Sequence, residues 1–321
     1  MKNILKFYVK NDDRDIRIDR WLRRKFSDLP QSFFEKKLRK GLIRLNNKII
    51  KSNKKIFYND IIEIFDYDKQ IYSKTEIKKH NYEIPSNLLK KFNSSIFFEN
   101  KDYIVINKWN GIATQGGTKI INSIDSIIKN INNNMNLVHR LDIGTTGSLI
   151  ISKNYLTSRF FGQQFKEKKI KKVYLALCIG KPIKNKGTIN LKLTKKINKN
   201  KKIKQKNNIE SVTNYELIEC KQNISSIIFL PITGKTHQIR IVAQYLGCSI
   251  LGDRKYNKFR NNHRKHKNTQ LMLHALAVNF SYKNKNTFHF AKLNDEMTNN
   301  FKKFGLKIPK EKTIEKYLFK N

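Results

Sequence analysis

One aspartate stands in a turn where its carboxylate could do chemistry. Asp142 lies four residues after Val138 and shortly before two glycines, Gly144 and Gly147. The run Leu149 to Ile151 that follows is apolar enough for a buried strand. Glycines beside an acidic residue let another molecule approach the backbone closely. Taken alone, this pattern leaves two interpretations open: the carboxylate caps a turn, or it takes part in catalysis.

Two other kinds of site are disfavoured by their spacing. Gly234, Lys235 and Thr236 look like the end of a phosphate-binding P-loop, but Phe229 stands where that motif needs its first glycine. Nucleotide hydrolysis is therefore not indicated. The 7 histidines have no metal-ligand spacing and the 3 cysteines form no C-x-x-C pair, so we expect no metal site and no disulfide framework.

Charge points to a polyanionic partner. The chain has 67 Lys and Arg against 25 Asp and Glu, a formal net charge of +42. Such self-repulsion is offset most directly by nucleic acid, because phosphate contacts release counterions. Codon bias toward A/T-rich DNA also raises the lysine content, but it would raise glutamate too. The balance therefore favours nucleic-acid binding.

The N-terminal part of the chain reads as helix, helix and short strands. Apolar residues recur at helical spacing over residues 16–26. Ser32 and Glu35 predict a capping box at the start of a second helix, which Gly41 ends. Strands are expected at 42–45, 49–50 and 61–64. The unit has one basic face.

The rest of the chain predicts a larger body rich in strands. Many β runs with scattered helices indicate an α+β fold with a mixed, mostly antiparallel sheet. Residues 184–208 hold ten lysines and no acidic residue. This segment is either a solvated, flexible loop or a phosphate contact. We divide the chain into an N-terminal domain at 10–66, a linker at 67–94, a main domain at 95–300 and a C-terminal tail at 301–321.

No targeting or membrane segment is evident. The first ten residues lack the apolar centre of a signal peptide. No stretch approaches the ~18 apolar residues of a membrane helix. We therefore expect a soluble, reduced, cytoplasmic protein without a membrane partner.

Several ordered motifs resemble the RluA-type pseudouridine synthase family. The segment from His139 to Leu149 resembles that family's H-R-L-D-x-x-T-S-G-L-L signature. Its other motifs follow in the family's order and spacing: the K-x-Y-x-A pattern at Lys172 to Leu177, the T-G-R-T-H-Q-I-R-V pattern at Thr233 to Ile241, the I-x-G-D-x-x-Y pattern at Ile250 to Tyr256 and, upstream, the N-K-P-x-G loop at Asn107 to Gly117. Residues 17–48 are similar to the alpha-L RNA-binding fold that many members carry first.

The resemblance implies an isomerase that acts on RNA without cofactor, metal or ATP. Asp142 would supply the carboxylate, as nucleophile or as base. Arg240 would pair with it and favour its charged form, or instead contact RNA phosphate. Tyr174 would stack on the flipped uracil, or be an ordinary strand tyrosine.

RNA contacts follow from the same resemblance. Arg140 would fill the place that the flipped base leaves. Candidate phosphate contacts on the alpha-L-like unit are Arg20, Arg24, Lys36, Arg39, Lys40 and Arg44.

The RNA target is a finer prediction. The Q-G-G loop and Gln244 with Tyr245 look most like the C-type members, which modify several uridines of large-subunit (23S) ribosomal RNA. The alternatives are the same chemistry on tRNA or on another ribosomal RNA site, and an inactive RNA-binding ribosome-assembly factor. The chain departs from the family pattern at Thr146, Trp109, Val242 and Asn257. Nothing in the sequence suggests an obligate partner subunit, so we expect a monomer.

Overall fold

The computed structural model describes residues 4–26, 29–72, 84–116, 122–194, 208–257 and 269–319. The chain divides into two compact units, Met1–Glu83 and Ile84–Asn321. Parts of two predicted segments, residues 73–83 of the linker and 195–207 of the lysine-rich segment, lie outside the described residues, as does Gly117 of the Gly-rich loop.

The first unit packs two helices on a small antiparallel sheet. Its elements are β1 (Leu5–Tyr8), a 3-10 turn (Asn11–Asp13), β2 (Ile16–Arg17), α1 (Ile18–Lys25), α2 (Gln31–Arg39), β3 (Ile43–Leu45), β4 (Lys48–Ile49), β5 (Lys55–Ile56), β6 (Ile61–Ile64) and α3 (Lys69–Tyr72). The four-stranded sheet has the order β1-β6-β3-β4, and β2 pairs with β5. Trp21, Leu22, Phe34 and Leu38 fill the core between helices and sheet.

Helix α2 begins differently from the prediction. Its N-cap is Pro30, which has no side chain able to cap, so the predicted Ser32–Glu35 capping box is wrong. Glu35 instead accepts a hydrogen bond of 2.9 Å from Gln31 Nε2. The predicted end is correct, because Gly41 takes φ +68°, a conformation that favours glycine.

The second unit is built on one large sheet. Its elements are α4 (Ser86–Ser94), β7 (Ile96–Glu99), β8 (Tyr103–Lys108), α5 (Ile124–Ile131), β9 (Asn136–Leu137), β10 (Thr146–Ser152), α6 (Tyr155–Lys166), β11 (Lys171–Ile179), β12 (Lys186–Thr194), β13 (Asn208–Lys221), β14 (Ile224–Pro231), α7 (Gln238–Tyr245), β15 (Leu273–Tyr282), β16 (Lys285–Phe290), α8 (Asp295–Lys303) and α9 (Glu311–Phe319).

The sheet confirms the predicted fold class. Its order is β12-β13-β14-β11-β15-β10-β8-β7, with β16 paired to β15 and β9 to β10. Every described strand pairing is antiparallel except that of β10 with β15, where Thr146 and Gly147 pair with His274 and Ala275. Gly147 has φ +105°, and a Cβ there would lie 2.3 Å from the Ala275 carbonyl oxygen. Only glycine allows this close approach, which places the start of β10 against the start of β15.

Three segments differ from the sequence interpretation. The predicted linker at 67–94 contains α3 and α4, and Phe92 of α4 is buried against β8. The predicted tail at 301–321 contains α9, whose Ile314 and Leu318 belong to the main core. Within the lysine-rich segment, residues 186–194 form β12, paired with β13 along its whole length.

Among the described residues, no helix is both long and apolar enough to cross a membrane. The same residues contain no group of three or more His, Cys, Asp or Glu side chains arranged to hold a metal ion.

Candidate active site

The turn that carries Asp142 is fixed from both sides. Its residues 138–145 connect β9 to β10. His139 Nε2 accepts a hydrogen bond of 2.9 Å from the backbone N–H of Ile150, which ties the start of the turn to the strand it precedes. Thr114 Oγ1 donates to the Leu141 carbonyl at 2.6 Å and accepts from the Leu141 N–H at 3.1 Å. The carboxylate is therefore presented by a rigid backbone.

The four predicted residues of this unit line one cavity. Asp142, Tyr174, Arg240 and Arg140 border a cleft of about 480 Å³ between the turn, β11 and the start of α7. Asp142 is the only acidic residue among the described residues that line it. Its side chain is 20% exposed, so a substrate in the cleft reaches the carboxylate.

Arg240 has a different principal partner from the one predicted. Its Nε and Nη2 donate to the two oxygens of Asp253 at 2.7 and 2.8 Å. Its Nη1 lies 4.0 Å from Asp142 Oδ2, an ion-pair distance but not a hydrogen bond. Burial lowers the pKa of Arg240, but the hydrogen bonds and charge of Asp253, together with electrostatic interactions with Asp142 and Tyr256, outweigh it and hold the pKa above its ordinary value. Arg240 is thus a fixed cation beside Asp142.

His237 is a second neighbour of the carboxylate, and the sequence analysis did not assign it a role. Its Nε2 lies 3.8 Å from Asp142 Oδ2. His237 is the N-cap of α7, three residues before Arg240, and its own backbone is left-handed rather than helical. That spacing in the T-H-Q-I-R segment is the signal that could have found it.

Gln238 holds the loop before α7 in place. Its Oε1 accepts from Thr233 Oγ1 at 2.8 Å and from the Lys235 N–H at 2.9 Å. Its Nε2 donates to the Val212 carbonyl at 3.0 Å and to Thr213 Oγ1 at 2.9 Å, both on β13. The segment that looked like a P-loop end is therefore a structural wall of the cleft.

Tyr174 lies on β11 opposite the turn. Its ring packs against two of the core clusters of the second unit. Burial raises the pKa of Tyr174, and the charge of Asp142 raises it further, so the phenol stays protonated. A protonated aromatic ring at the wall of the cleft can stack on a planar base.

Two lysines also lie near the carboxylate, Lys108 buried and Lys172 half-buried. Lys108 is fully buried and donates to the carbonyls of Trp109, Ile112 and Ile143 at 3.1, 2.9 and 3.1 Å. Burial lowers its pKa to about 7, against the opposing charge of Asp142. Lys172 lines the cavity, and burial lowers its pKa to about 8.

The departures from the family pattern have structural explanations in two cases. Thr146 keeps the hydroxyl, and its Oγ1 lies 2.7 Å from His274 Nδ1. Val242 is fully buried in the main core, where a histidine would need polar partners.

A second cavity of about 380 Å³ also borders Asp142. It shares Arg140, His237 and Arg240 with the first and adds Gln115 and Arg254. The carboxylate is therefore open to two adjoining spaces.

The predicted RNA contacts of the first unit fall into two groups. Arg20, Lys36, Arg39 and Lys40 are exposed on α1 and α2 or just after α2. Arg24 forms an ion pair with Asp13. Arg44 donates to the Gly41 carbonyl at 3.1 Å and lies over the Phe65 ring. These two arginines thus have partners within the unit.

The cleft beside the mixed sheet holds one carboxylate next to an arginine, a histidine and a tyrosine. Together with the large positive charge of the chain, this arrangement indicates an enzyme that acts on nucleic acid. Comparison with known proteins gives the family. The sequence model described as RNA pseudouridylate synthase matches residues 102–245, which span Asp142, Tyr174 and Arg240.

Named relatives agree with this match. The chain is 39% identical over 251 residues to ribosomal large subunit pseudouridine synthase C of Rickettsia bellii, covering 75% of this chain and 82% of that protein. It is 34% identical over 288 residues to the protein of the same name from Buchnera aphidicola subsp. Baizongia pistaciae, covering 82% and 85%. The chain therefore belongs to the RNA pseudouridylate synthase family and is an RNA pseudouridine synthase, an isomerase.

Solved structures support the fold. The human RNA pseudouridylate synthase domain containing 4 aligns with a TM-score of 0.60 at 22% identity, covering 70% of this chain and 98% of that chain. The human domain containing 1 aligns with a TM-score of 0.52 at 23% identity, covering 62% and 83%.

Proposed function

We propose that this enzyme converts specific uridines of large-subunit (23S) ribosomal RNA into pseudouridine, with Asp142 as the reacting carboxylate. The observation that carries the assignment is that Asp142 is the only acidic residue lining the cleft among the described residues. Any step that needs a carboxylate at the substrate therefore falls to Asp142.

The reaction rearranges bonds within one nucleotide. The bond from N1 of uracil to C1′ of ribose breaks, the base turns, and C5 bonds to the same carbon; C5 then loses its proton and N1 gains one, directly or by exchange with solvent. Asp142 serves either as nucleophile at C1′ or as base. In both cases it must be ionised, and the guanidinium of Arg240 at 4.0 Å stabilises that charge.

The cleft also has to hold the base while it is detached. The ring of Tyr174 forms a wall on which uracil stacks. Lys172 lines the same cavity and meets the negative charge that the departing base carries. A base in folded RNA reaches this site only after it is flipped out, at a cost of a few kcal/mol.

Arg140 and the first unit supply the RNA grip. Arg140 is exposed on the same turn as Asp142, where it can enter the place that the flipped base leaves. The first unit is an alpha-L-type RNA-binding domain in this proposal, with Arg20, Lys36, Arg39 and Lys40 on its exposed basic face. Arg24 and Arg44 add charge to that face while bonded internally.

The target assignment rests on the relatives. Those named above are called ribosomal large subunit pseudouridine synthase C. We propose the same class of RNA here, acted on in the cytoplasm by a monomer.

The experiment maps pseudouridines in cellular RNA with and without the gene, then restores the gene as wild type, Asp142→Asn or Asp295→Asn. Asp295 is exposed on α8 and serves as the matched control. We expect specific large-subunit positions to lose pseudouridine, and to regain it with wild type and Asp295→Asn only. Near-normal product from Asp142→Asn would contradict the mechanism. Lost sites in tRNA would contradict the target, and no lost sites would favour an assembly factor.

A further inference from the structure

The segment Ile250 to Tyr256 lies behind the cleft, and none of its residues takes part in the proposed reaction. Asp253 is its centre, with a fully buried carboxylate. Besides Arg240, Asp253 Oδ1 accepts the backbone N–H groups of Lys255 and Tyr256, each at 2.9 Å. Gly252 is required because a Cβ there would lie 1.9 Å from the Gln270 carbonyl oxygen. The turn that follows Asp253 is therefore fixed.

Tyr256 is held by this turn against two residues of the site. Its ring lies 5.0 Å from the Arg240 guanidinium carbon. Its hydroxyl lies 3.0 Å from Nδ1 of His237, and its own carbonyl accepts from Ser249 Oγ at 3.0 Å. Asp253 and Tyr256 thus each hold one of the two residues that approach Asp142: Asp253 holds Arg240, and Tyr256 holds His237.

The backbone of His237 is strained. Its φ of 56° places a histidine in the left-handed region, which costs free energy for most residues other than glycine and asparagine. Strain of this kind persists where the surrounding contacts determine it. Here it turns the ring so that Nδ1 faces Tyr256 and Nε2 faces Asp142.

The two ring contacts select one arrangement of protons. Asp142 is an anion and can only accept a hydrogen bond, so the nitrogen facing it is favoured as the one that carries hydrogen. A neutral imidazole then has a bare Nδ1, which the Tyr256 hydroxyl must donate to. The reverse arrangement would set a nitrogen lone pair against a carboxylate. Burial lowers the pKa of His237, Asp142 and Asp253 oppose this, and Arg240 and Lys255 reinforce it, which leaves the ring neutral at neutral pH.

We propose that His237 is a positioning residue for Asp142, and that the Tyr256 hydroxyl sets the tautomer in which His237 donates from Nε2. This inference rests on the proposed function, since it deepens the role of the same carboxylate. Arg240 and His237 approach the same oxygen, Oδ2. Oδ1 is then the oxygen that meets the substrate. At 3.8 Å the His237 contact is long in the free enzyme, and it tightens when the substrate fills the cleft.

The activity test is a double-mutant cycle. Tyr256→Phe removes only the hydroxyl and keeps the ring beside Arg240. His237→Asn keeps a residue that tolerates positive φ. We expect Tyr256→Phe to lower kcat about 10-fold, the value of one hydrogen bond, with RNA affinity unchanged. In the His237→Asn background the same change should have no further effect, because the two act as one unit.

A matched control is Tyr58→Phe, at an exposed tyrosine of the first unit. It should leave kcat unchanged in both backgrounds. A merely structural role for Tyr256 would lower kcat by equal factors with and without His237, and that result would overturn the proposal.

The second readout does not depend on activity. Nitrogen NMR of the full-length protein labelled with 15N-histidine, with His237 assigned by its loss in His237→Asn, should show a neutral ring with hydrogen on Nε2. Tyr256→Phe should give a mixture of tautomers. A ring with hydrogen on Nδ1, or a protonated ring at neutral pH, would overturn the inference. Failure of wild type to form pseudouridine while Nε2 carries hydrogen would instead overturn the proposed function.

Discussion

At the scale of single residues, the site depends on how each charge is held. Asp142 meets Arg240 and His237 at distances of 4.0 and 3.8 Å, and neither contact alone would fix it. The position of Arg240 is fixed by a residue that does not itself contact Asp142, since Asp253 accepts two hydrogen bonds from the Arg240 guanidinium. Arg240→Lys would therefore be a poor replacement, because an ammonium cannot reproduce that paired geometry.

Lys172 provides a pH test of the cleft. Its lowered pKa of about 8 means that the ammonium is present below that pH and is lost as pH rises through it. We expect wild-type kcat/KM to decline above about pH 8. Lys172→Arg keeps the charge and should move this decline to higher pH, because arginine does not deprotonate in proteins.

The control for this experiment is Lys181→Arg, at an exposed lysine after β11. It should reproduce the wild-type pH profile on the same RNA. An identical alkaline decline in Lys172→Arg would show that Lys172 is not the titrating group.

At the scale of elements, the turn at 138–145 and the loop after β8 form one assembly. The Nζ of Lys108 joins them, since it binds Trp109 and Ile112 in the loop and Ile143 in the turn. The loop is also closed by the Gly111 N–H, which donates to the Ile143 carbonyl at 3.1 Å. Trp109, which replaces the family's proline, is thus held by its carbonyl as well as by its packing in the core.

Lys108→Met tests this assembly. Methionine fills a similar volume but removes the hydrogen bonds to the Trp109 and Ile112 carbonyls, at a cost of about 1–3 kcal/mol for each group left buried without a donor, whereas the Ile143 carbonyl keeps the Gly111 N–H. We expect amide hydrogen exchange in residues 109–116 and 142–144 to accelerate and kcat to fall about 10-fold or more. RNA affinity should stay near wild type, since Lys108 is fully buried.

The exposed lysine at position 101 gives the comparison, as Lys101→Met removes the same charge a few residues away. Hydrogen exchange of the turn that stayed at the wild-type rate in Lys108→Met would contradict the role of Lys108 as a clamp.

The pairing of β10 with β15 predicts acid sensitivity. His274 is fully buried, with Nδ1 at 2.7 Å from Thr146 Oγ1 and Nε2 at 3.0 Å from the Ala291 carbonyl, and burial lowers its pKa to about 4. As pH falls below 6.5, His274 becomes protonated in the unfolded chain but stays neutral in the folded chain. The free energy of unfolding therefore falls. The loss reaches about 3 kcal/mol by pH 4.

Urea unfolding between pH 7 and pH 4 measures this effect. His274→Gln should be less stable at pH 7, because its hydrogen bonds are imperfect replacements, but its stability should fall less steeply with acid. Parallel curves for the two proteins would contradict the assignment. Some acid sensitivity remains in either case, since burial also lowers the pKa of His289 to about 4.

The features that the sequence predicted correctly depend on residues close together in the chain, and those it missed depend on contacts between distant residues. Local patterns predicted the α+β class, the strands around Asp142 and the stop of α2 at Gly41. The pairing of Arg240 with Asp253 depends on how α7 and a following turn meet in space, and no spacing rule encodes that. Helix α9 was missed although Ile314 and Leu318 have helical spacing, and residues 301–321 were interpreted as a tail.

At the scale of the whole molecule, a net charge of +42 must be reconciled with a stable fold. Few acidic side chains are available, and several of them neutralise cations within the first unit, as Asp13 does for Arg24 and Asp66 for Lys37. Among the described residues, cations such as Arg20, Lys36, Arg39 and Lys40 are exposed, where RNA phosphates can offset their charge.

The exposed pair at the end of α2 tests whether the first unit carries part of that surplus to RNA. Arg39 and Lys40 are both exposed and adjacent to the turn at Gly41. If each contacts a phosphate, replacing both with alanine lowers the slope of log affinity against log salt by roughly 1.5.

The matched control is Lys302→Ala with Lys303→Ala, an exposed basic pair at the end of α8. We expect filter-binding titrations from low to high salt to show the reduced slope for the first pair only. Equal slopes for both double variants would remove α2 from the RNA surface, because a contact that releases no counterion involves no phosphate.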